Sequence, residues 1–195
     1  MKYIPTLFSG PMVVANLEGR KTCTRRTRGL KYINESPGEW TVEPTSEVDV
    51  WLFTNQKTGE RKSIRNPFGV IGDFLWVRET WFGNPDDIIY RADYDMQIIK
   101  WKSPYHMFRW ASRTNLKRTS NRGPERVQEI TPEDAISEGV MGRPLSEYST
   151  QRGIGVTPDQ TIAKTIFSEL WNSIHGPDAW DRNEWVWPVE YEVVK

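Results

Sequence analysis

The densest run of reactive side chains is Gly19-Arg20-Lys21-Thr22-Cys23-Thr24-Arg25-Arg26. Lys21 is crowded by Arg20, Arg25 and Arg26, and like charges disfavour its protonated form, as partial burial would. A lysine that is neutral part of the time can take a proton from a nearby hydroxyl or water. Thr22 and Thr24 supply hydroxyls, and the arginines could hold an oxyanion or a phosphate. Geometry sets a condition on this chemistry. In a regular strand residues 21 and 24 point to opposite faces, so they converge only if the chain bends just after Gly19 with Lys21 still in the turn. Without that bend the segment is a basic, solvated strand that binds phosphate and catalyses nothing. Cys23 is a second candidate nucleophile, because the surrounding cations would stabilise a thiolate; the plainer reading is a small buried filler.

A second chemically suggestive stretch lies downstream. Residues 100–126 carry Lys100, Lys102, Arg109, Arg113, Lys117, Arg118, Arg122 and Arg126 against a single acid, Glu125. Trp101, Tyr105, Phe108 and Trp110 interleave with these cations, and flat rings beside backbone-neutralising charges suit a nucleotide or a single-stranded nucleic acid. The alternative is a solvated basic face paired with the acidic residues of 169–192, which hold Glu169, Asp178, Asp181, Glu184, Glu190 and Glu192. Global charge decides nothing, since Lys plus Arg and Asp plus Glu both number 26.

Several chemistries are excluded by composition. One cysteine and two histidines cannot build a disulfide framework or a four-ligand zinc site without carboxylates, so no metal or organic cofactor is expected. His106 and His175 stand far apart, and no phosphate-loop, dinucleotide, metalloprotease, serine-hydrolase or zinc-deaminase pattern occurs. The opening MKYIPTLFSGP lacks the apolar region of a signal peptide, and no stretch approaches a membrane span, so a cytoplasmic protein is expected. With 10 Trp but only 37% hydrophobic residues, much of the core must be aromatic, or some rings line a cleft.

The elements that must position these residues follow from capping and periodicity. Ser9 and Pro11 open a short helix, PMVVANLE, and Gly19 stops it. KTCTRRTR then leaves as a strand. Residues 29–70 are polar and rich in turn formers, with a hairpin over VDVWLFTNQKTGERKSI. Gly72-Asp73 turns into a strand, FLWVRETWF, and ASRTNLKRTS gives another. Thr131 caps a second helix, PEDAISEG, with Asp134 three residues on as in a capping box, and Gly139 ends it. Residues 141–158 read as a loop. The longest helix is expected over 159–174, burying Ile162, Ile166, Leu170, Trp171 and Ile174, and WVWPVEYEVV closes the chain as a strand. Neither a repeat nor a second core is visible, so the expectation is one α+β domain over 1–195 with a compact, barrel-like sheet.

The pattern G-R-K-T-x-T-x-R after a short helix resembles the signature of the ASCH domain, a member of the PUA-like superfamily, with Gly19, Lys21 and Arg26 at its fixed positions. Gly72-Asp73-Phe74-Leu75-Trp76-Val77 is similar to that family's G-D-x-L-x-V strand. The capped helix from Ile130-Thr131 to Gly139 and the strand Trp187-Pro188-Val189-Glu190-Tyr191 follow in the family's order. Together the blocks cover roughly half of the chain, and with WVRETW and RWASR it resembles the larger ASCH-like proteins common in bacteriophage genomes. The resemblance implies a PUA-like small mixed β-barrel with short flanking helices, here with long insertions at about 27–70, 82–110 and 141–184. It does not fix one activity.

One branch of that family consists of small amidohydrolases that remove acyl groups from N4-acetylcytidine. Carried over by position, their catalytic residues fall on Lys21, Thr24 and Glu138, with Glu133 as the alternative carboxylate. The implied mechanism is hydrolysis through an acyl-enzyme, with Lys21 activating Thr24, Glu138 orienting Lys21 or shuttling a proton, and a backbone N–H or Arg26 stabilising the oxyanion. Arg25, Arg78 and Arg113 join Arg26 as candidate substrate-binding cations, and Trp76 and Trp110 as rings that could stack on the pyrimidine. Trp76 also reads as ordinary strand packing, and Glu138 as a surface helix carboxylate. The chain departs from the small enzymes in its length, in Arg25 where they carry an aliphatic residue, and in its basic, aromatic 100–126 stretch. The expected partner is therefore a modified cytosine nucleoside, with the alternative of RNA or single-stranded nucleic acid bound, or in a nuclease variant cleaved, by a module without amidase activity.

Overall fold

The computed structural model describes residues 1–94, 100–140 and 160–194. Strand β11, Trp185–Val194, is the hub of the molecule. It pairs antiparallel with β10 (Glu125–Arg126) at its start, with β2 (Cys23–Arg26) from Trp187 to Glu190, and with β9 (Asn115–Arg118) from Tyr191 onward. β9 pairs antiparallel with β6 (Phe74–Arg78), and β6 runs parallel to β1 (Tyr3–Leu7). These six strands form one mixed sheet curled into a half-barrel. A three-stranded antiparallel sheet of β3 (Trp40–Pro44), β4 (Val50–Asn55) and β5 (Arg61–Arg65) and a hairpin of β7 (Trp81–Asn84) and β8 (Asp87–Tyr90) complete the described strands. The α-helices among the described residues are α1 (Gly10–Leu17), α2 (Pro132–Ser137) and α3 (Gln160–His175). The architecture is mixed α+β.

The sequence of β11 shows why it sits at the centre. Alternate residues of a strand face opposite sides. Trp185, Trp187, Val189 and Tyr191 enter the main core with Leu75, Val77 and Leu116, while Val186 joins a second cluster with Ala135, Phe167 and Trp171. A strand covered on both faces reads as an almost unbroken apolar run, as WVWPVEYEVV does. Aromatics do fill much of the interior: Trp40, Trp76, Trp81, Trp171, Trp185 and Trp187 are buried.

Both capped helices end where the sequence places their stops. Thr131 Oγ1 accepts from Asp134 N–H at 3.1 Å, and Gly19 and Gly139 take φ of 73° and 75°. Other details differ. FLWVRETWF splits, because Glu79, between β6 and β7, is buried and salt-bridged to Arg113 at 2.9 Å instead of continuing the ladder. The buried stripe of α3 is Ala163, Phe167 and Trp171, whereas Ile162 and Ile174 are exposed; small Ala163 lets α2 pack close. Among the described residues the apolar interior forms three clusters, of which Trp81, Met107 and Ala111 make the third, with Ile88 and Tyr90 of the β7–β8 hairpin packed against it. The strand β3, unforeseen among the turn formers of 29–70, carries the buried Trp40. The loop expected at 141–158 lies wholly outside the described residues, as does Asp159.

Candidate active site

The bend that Lys21 requires is present. After α1, Gly19 turns at φ 73°, and the N–H groups of Arg20 and Lys21 both return to Ala15 O, at 2.9 and 3.1 Å. Lys21 is therefore still held by the helix end, and β2 begins only at Cys23. Thr22 is pinned between two elements, its N–H on Ser137 O at 2.8 Å and its carbonyl accepting from Tyr191 N–H at 2.9 Å. This anchoring brings the end of α2 against the turn. Lys21 Nζ donates to Glu138 Oε2 at 2.6 Å and to Glu138 O at 2.7 Å, across 117 residues of sequence. Both side chains are buried, 2% and 5% exposed. Gly139 must be glycine in this contact, since a Cβ there would stand 2.9 Å from Lys21 Cβ and 3.1 Å from Ala15 Cβ.

Thr24 is also buried, and its Oγ1 accepts from Arg26 Nε at 3.2 Å. Among the described residues no hydrogen bond joins Thr24 to Lys21, and the Thr24 hydroxyl is held by Arg26 instead. Its guanidinium also donates to Leu7 O at 2.7 Å and lies 4.8 Å above the Phe8 ring. Arg25 is enclosed completely. It donates to Glu125 at 2.8 Å and Asp134 at 2.6 Å, and its Nη1 approaches Glu138 Oε1 at 3.4 Å. Arg122 meets Glu125 and Asp134 as well and adds Glu190, at 3.1 Å.

Burial lowers the proton affinity of Lys21, against the charge and hydrogen bond of Glu138, and Arg26 lowers it further. The expected direction holds, but its main source is desolvation and not cationic crowding. Arg25 is matched by three carboxylates, and Arg20 donates to Glu18 at 2.7 Å. Burial pushes the Cys23 thiol up to about 12, reinforced by Glu138 and outweighing Arg25 and Lys21. Cys23 is a protonated filler, as the plainer reading had it. Burial pushes Asp134 upward, yet Arg122 and Arg25 outweigh it and hold the carboxyl below its ordinary range.

Four residues of this centre had been given no role in the site: Tyr191, Asn16, Asp134 and Glu125. Tyr191 O–H donates to Asn16 Oδ1 at 2.8 Å, and burial together with Glu138 raises the phenol well above 10.0. Asn16, a fully buried amide on the apolar face of α1, was the available signal. Asp134 and Glu125 gave none beyond their charge.

The remaining candidates sit elsewhere or in other roles. Glu133 is exposed, while Glu138 holds Lys21. Trp76 is buried, with the guanidinium of Arg78 5.1 Å and that of Arg109 5.8 Å from its ring. Arg113 is engaged by Glu79 and Asp93. Trp110 is 48% exposed and stacks on Phe108. A cleft of about 360 Å³ lies between α1 and α3, with Pro11, Met12, Gly139, Ile166 and Leu170 on its walls. Gly139 thus separates Lys21 from that cleft. Among the described residues no group of three or more His, Cys, Asp and Glu side chains could hold a metal ion, and no helix is long and apolar enough to cross a membrane.

Comparisons with protein-family models, with curated proteins and with solved structures find no match.

Proposed function

We propose that this chain is an amidohydrolase of the ASCH type on a PUA-like barrel, removing acyl groups from N4-acylated cytosine nucleosides. The observation that carries this reading is the buried Lys21–Glu138 contact at 2.6 Å, which unites two positions 117 residues apart that the resemblance had named together. The geometry around Nζ suits a base. A neutral amine has two N–H donors and one lone pair, and the two acceptors on Glu138 match those donors. A deprotonated Lys21 therefore keeps both hydrogen bonds and still has its lone pair for the Thr24 proton.

In the proposed sequence Thr24 Oγ1 attacks the acyl carbon as its proton passes to Lys21 Nζ. The tetrahedral oxyanion collapses, the C–N bond breaks, and the Lys21 proton goes to the departing amino group of cytosine. Water then attacks the threonyl ester and gives a proton to Lys21, which passes it to the departing Thr24 Oγ1, so that the acid, free Thr24 and neutral Lys21 are released. Arg26 is placed to release Thr24 Oγ1 and turn its charge toward the oxyanion. Since Lys21, Thr24 and Glu138 are buried, substrate entry requires this centre to open.

The test is loss of N4-acetylcytidine absorbance with wild type, Lys21→Ala and Thr24→Ala. The reading expects turnover in the wild type and a fall of at least about 100-fold in each variant. Absent wild-type turnover, or turnover unchanged in both variants, would sink it.

A further inference from the structure

The cations of residues 100–126 differ in their partners in ways that the sequence does not show. Arg113 is matched by Glu79 and Asp93, Lys117 by Glu192, Arg118 by Asp49, and Arg122 by Glu125, Asp134 and Glu190. Lys102 and Arg109, joined by Arg78 from the end of β6, meet no carboxylate among the described residues. Lys102 donates to Gly83 O at 2.8 Å, Arg109 to Asn115 Oδ1 at 2.6 Å, and Arg78 to Tyr105 O at 2.7 Å and Met107 O at 3.1 Å. These neutral acceptors fix the cations in place, and among the described residues no carboxylate compensates their charge.

The same cations are set among rings. Phe108 and Trp110 lie nearly parallel, 10° apart with centroids at 5.9 Å, and both stand edge-on to buried Trp81 at 81° and 90°. They are 60% and 48% exposed, so each ring offers surface to solvent while Trp81 holds it in place. Arg109, between them in sequence, extends over Tyr3 at 5.0 Å, and Lys102 lies 4.5 Å over Trp81. Rigid exposed rings alternating with unpaired cations match the repeat of a single strand, whose bases stack and whose phosphates carry charge. A duplex offers no unstacked bases to such rings, and an acidic protein surface would not need them.

We propose that this surface binds single-stranded nucleic acid, with bases on Phe108 and Trp110 and phosphates on Arg78, Lys102 and Arg109. It joins the Lys21 centre through one short segment: Arg26 donates to Leu7 O, and the N–H of Phe8 donates to Arg78 O at 3.0 Å. Binding here does not depend on any chemistry at Lys21.

The test is fluorescence anisotropy with a labelled 12-nucleotide oligouridine, its DNA counterpart, a 12-base-pair duplex and heparin as a non-nucleic polyanion. The expected result is saturable binding of a single strand, at least about tenfold tighter than the duplex, with a log–log salt slope near about −2 from three phosphate contacts. Phe108→Ala and Trp110→Ala should each weaken binding by about fivefold or more with that slope unchanged. Lys102→Ala and Arg109→Ala should each flatten it by about 0.7. Absence of saturable binding at low salt, equal affinity for duplex or heparin, or ring variants that bind like wild type while melting like it would overturn the proposal. A single strand of only one sugar type bound in this way would support it and name the polymer.

Discussion

Replacing Glu138 by Gln tests the electrostatic account of Lys21 in numbers. The substitution keeps shape and an acceptor oxygen for Nζ, but removes one negative charge from a site where the Lys21 and Arg25 side chains are 2% and 0% exposed. If Lys21 stays charged, an uncompensated buried cation costs about 3–5 kcal/mol. If it gives up its proton instead, starting from 10.5 in the unfolded chain, the cost is about 5 kcal/mol at pH 7 and about 2 kcal/mol at pH 9. The wild-type lysine already carries part of this burial cost, so these values are upper bounds. The sign follows from linkage. Glu138 raises the Lys21 proton affinity, so the variant releases that proton at lower pH than wild type does. Between those two values wild type binds the extra proton, and the stability gap narrows by about 1.4 kcal/mol per pH unit as pH rises. Urea unfolding of both proteins at pH 7, 8 and 9, followed by tryptophan fluorescence, measures the gap. Adding Lys21→Met to Glu138→Gln should recover part of the loss, because an apolar side chain needs no partner. A gap that widens as pH rises from 7 to 9 would refute the reasoning.

Other perturbations have equally definite outcomes. Asp49→Ala strands the fully buried Arg118 guanidinium without its carboxylate, and should cost about 3–5 kcal/mol in urea unfolding, against a negligible effect for Arg61→Ala on the exposed pair with Glu43. Gly139→Ala places a methyl group 2.9 Å from Lys21 Cβ at φ 75°, and should lower stability by about 1–3 kcal/mol and reduce kcat as Lys21 is displaced. The Cys23 thiol should resist Ellman's reagent at pH 8 in the folded protein and react at once in urea. Because its folded value is about 12 against 9.0 when free, stability should fall with rising pH across that interval, and the fall should flatten in Cys23→Ala.

Much of the centre was legible because its signals are local. Gly19 had to end α1, the Lys21 turn followed from it, and Thr131 and Gly139 bounded α2, so Glu138 fell at a defined helix end. What stayed hidden depends on contacts between distant segments. Nothing local says that Arg25 pairs with Glu125, Asp134 and Glu138, about 100 residues and more away, and so is enclosed and not free for a substrate. The basic stretch had the same difficulty: Arg113 and Arg109 look alike in sequence, yet one meets Glu79 and the other an asparagine. The buried face of α3 was misjudged by one position, because hydrophobicity favoured Ile162 where close helix packing uses Ala163. Trp76 shows the same limit, since its strand was evident but the two guanidinium groups beside it were not.

The most direct test of the central claim is to trap the acyl-enzyme. Wild type and Lys21→Ala would be mixed with N4-acetylcytidine, quenched in acid within milliseconds to seconds, and analysed by intact mass and peptide mapping. The account predicts a gain of one acetyl group in the wild type, located on Thr24 and missing from the Lys21→Ala variant. Turnover with no acetyl on the protein, or an acetyl group on Cys23 or any residue other than Thr24, would contradict it.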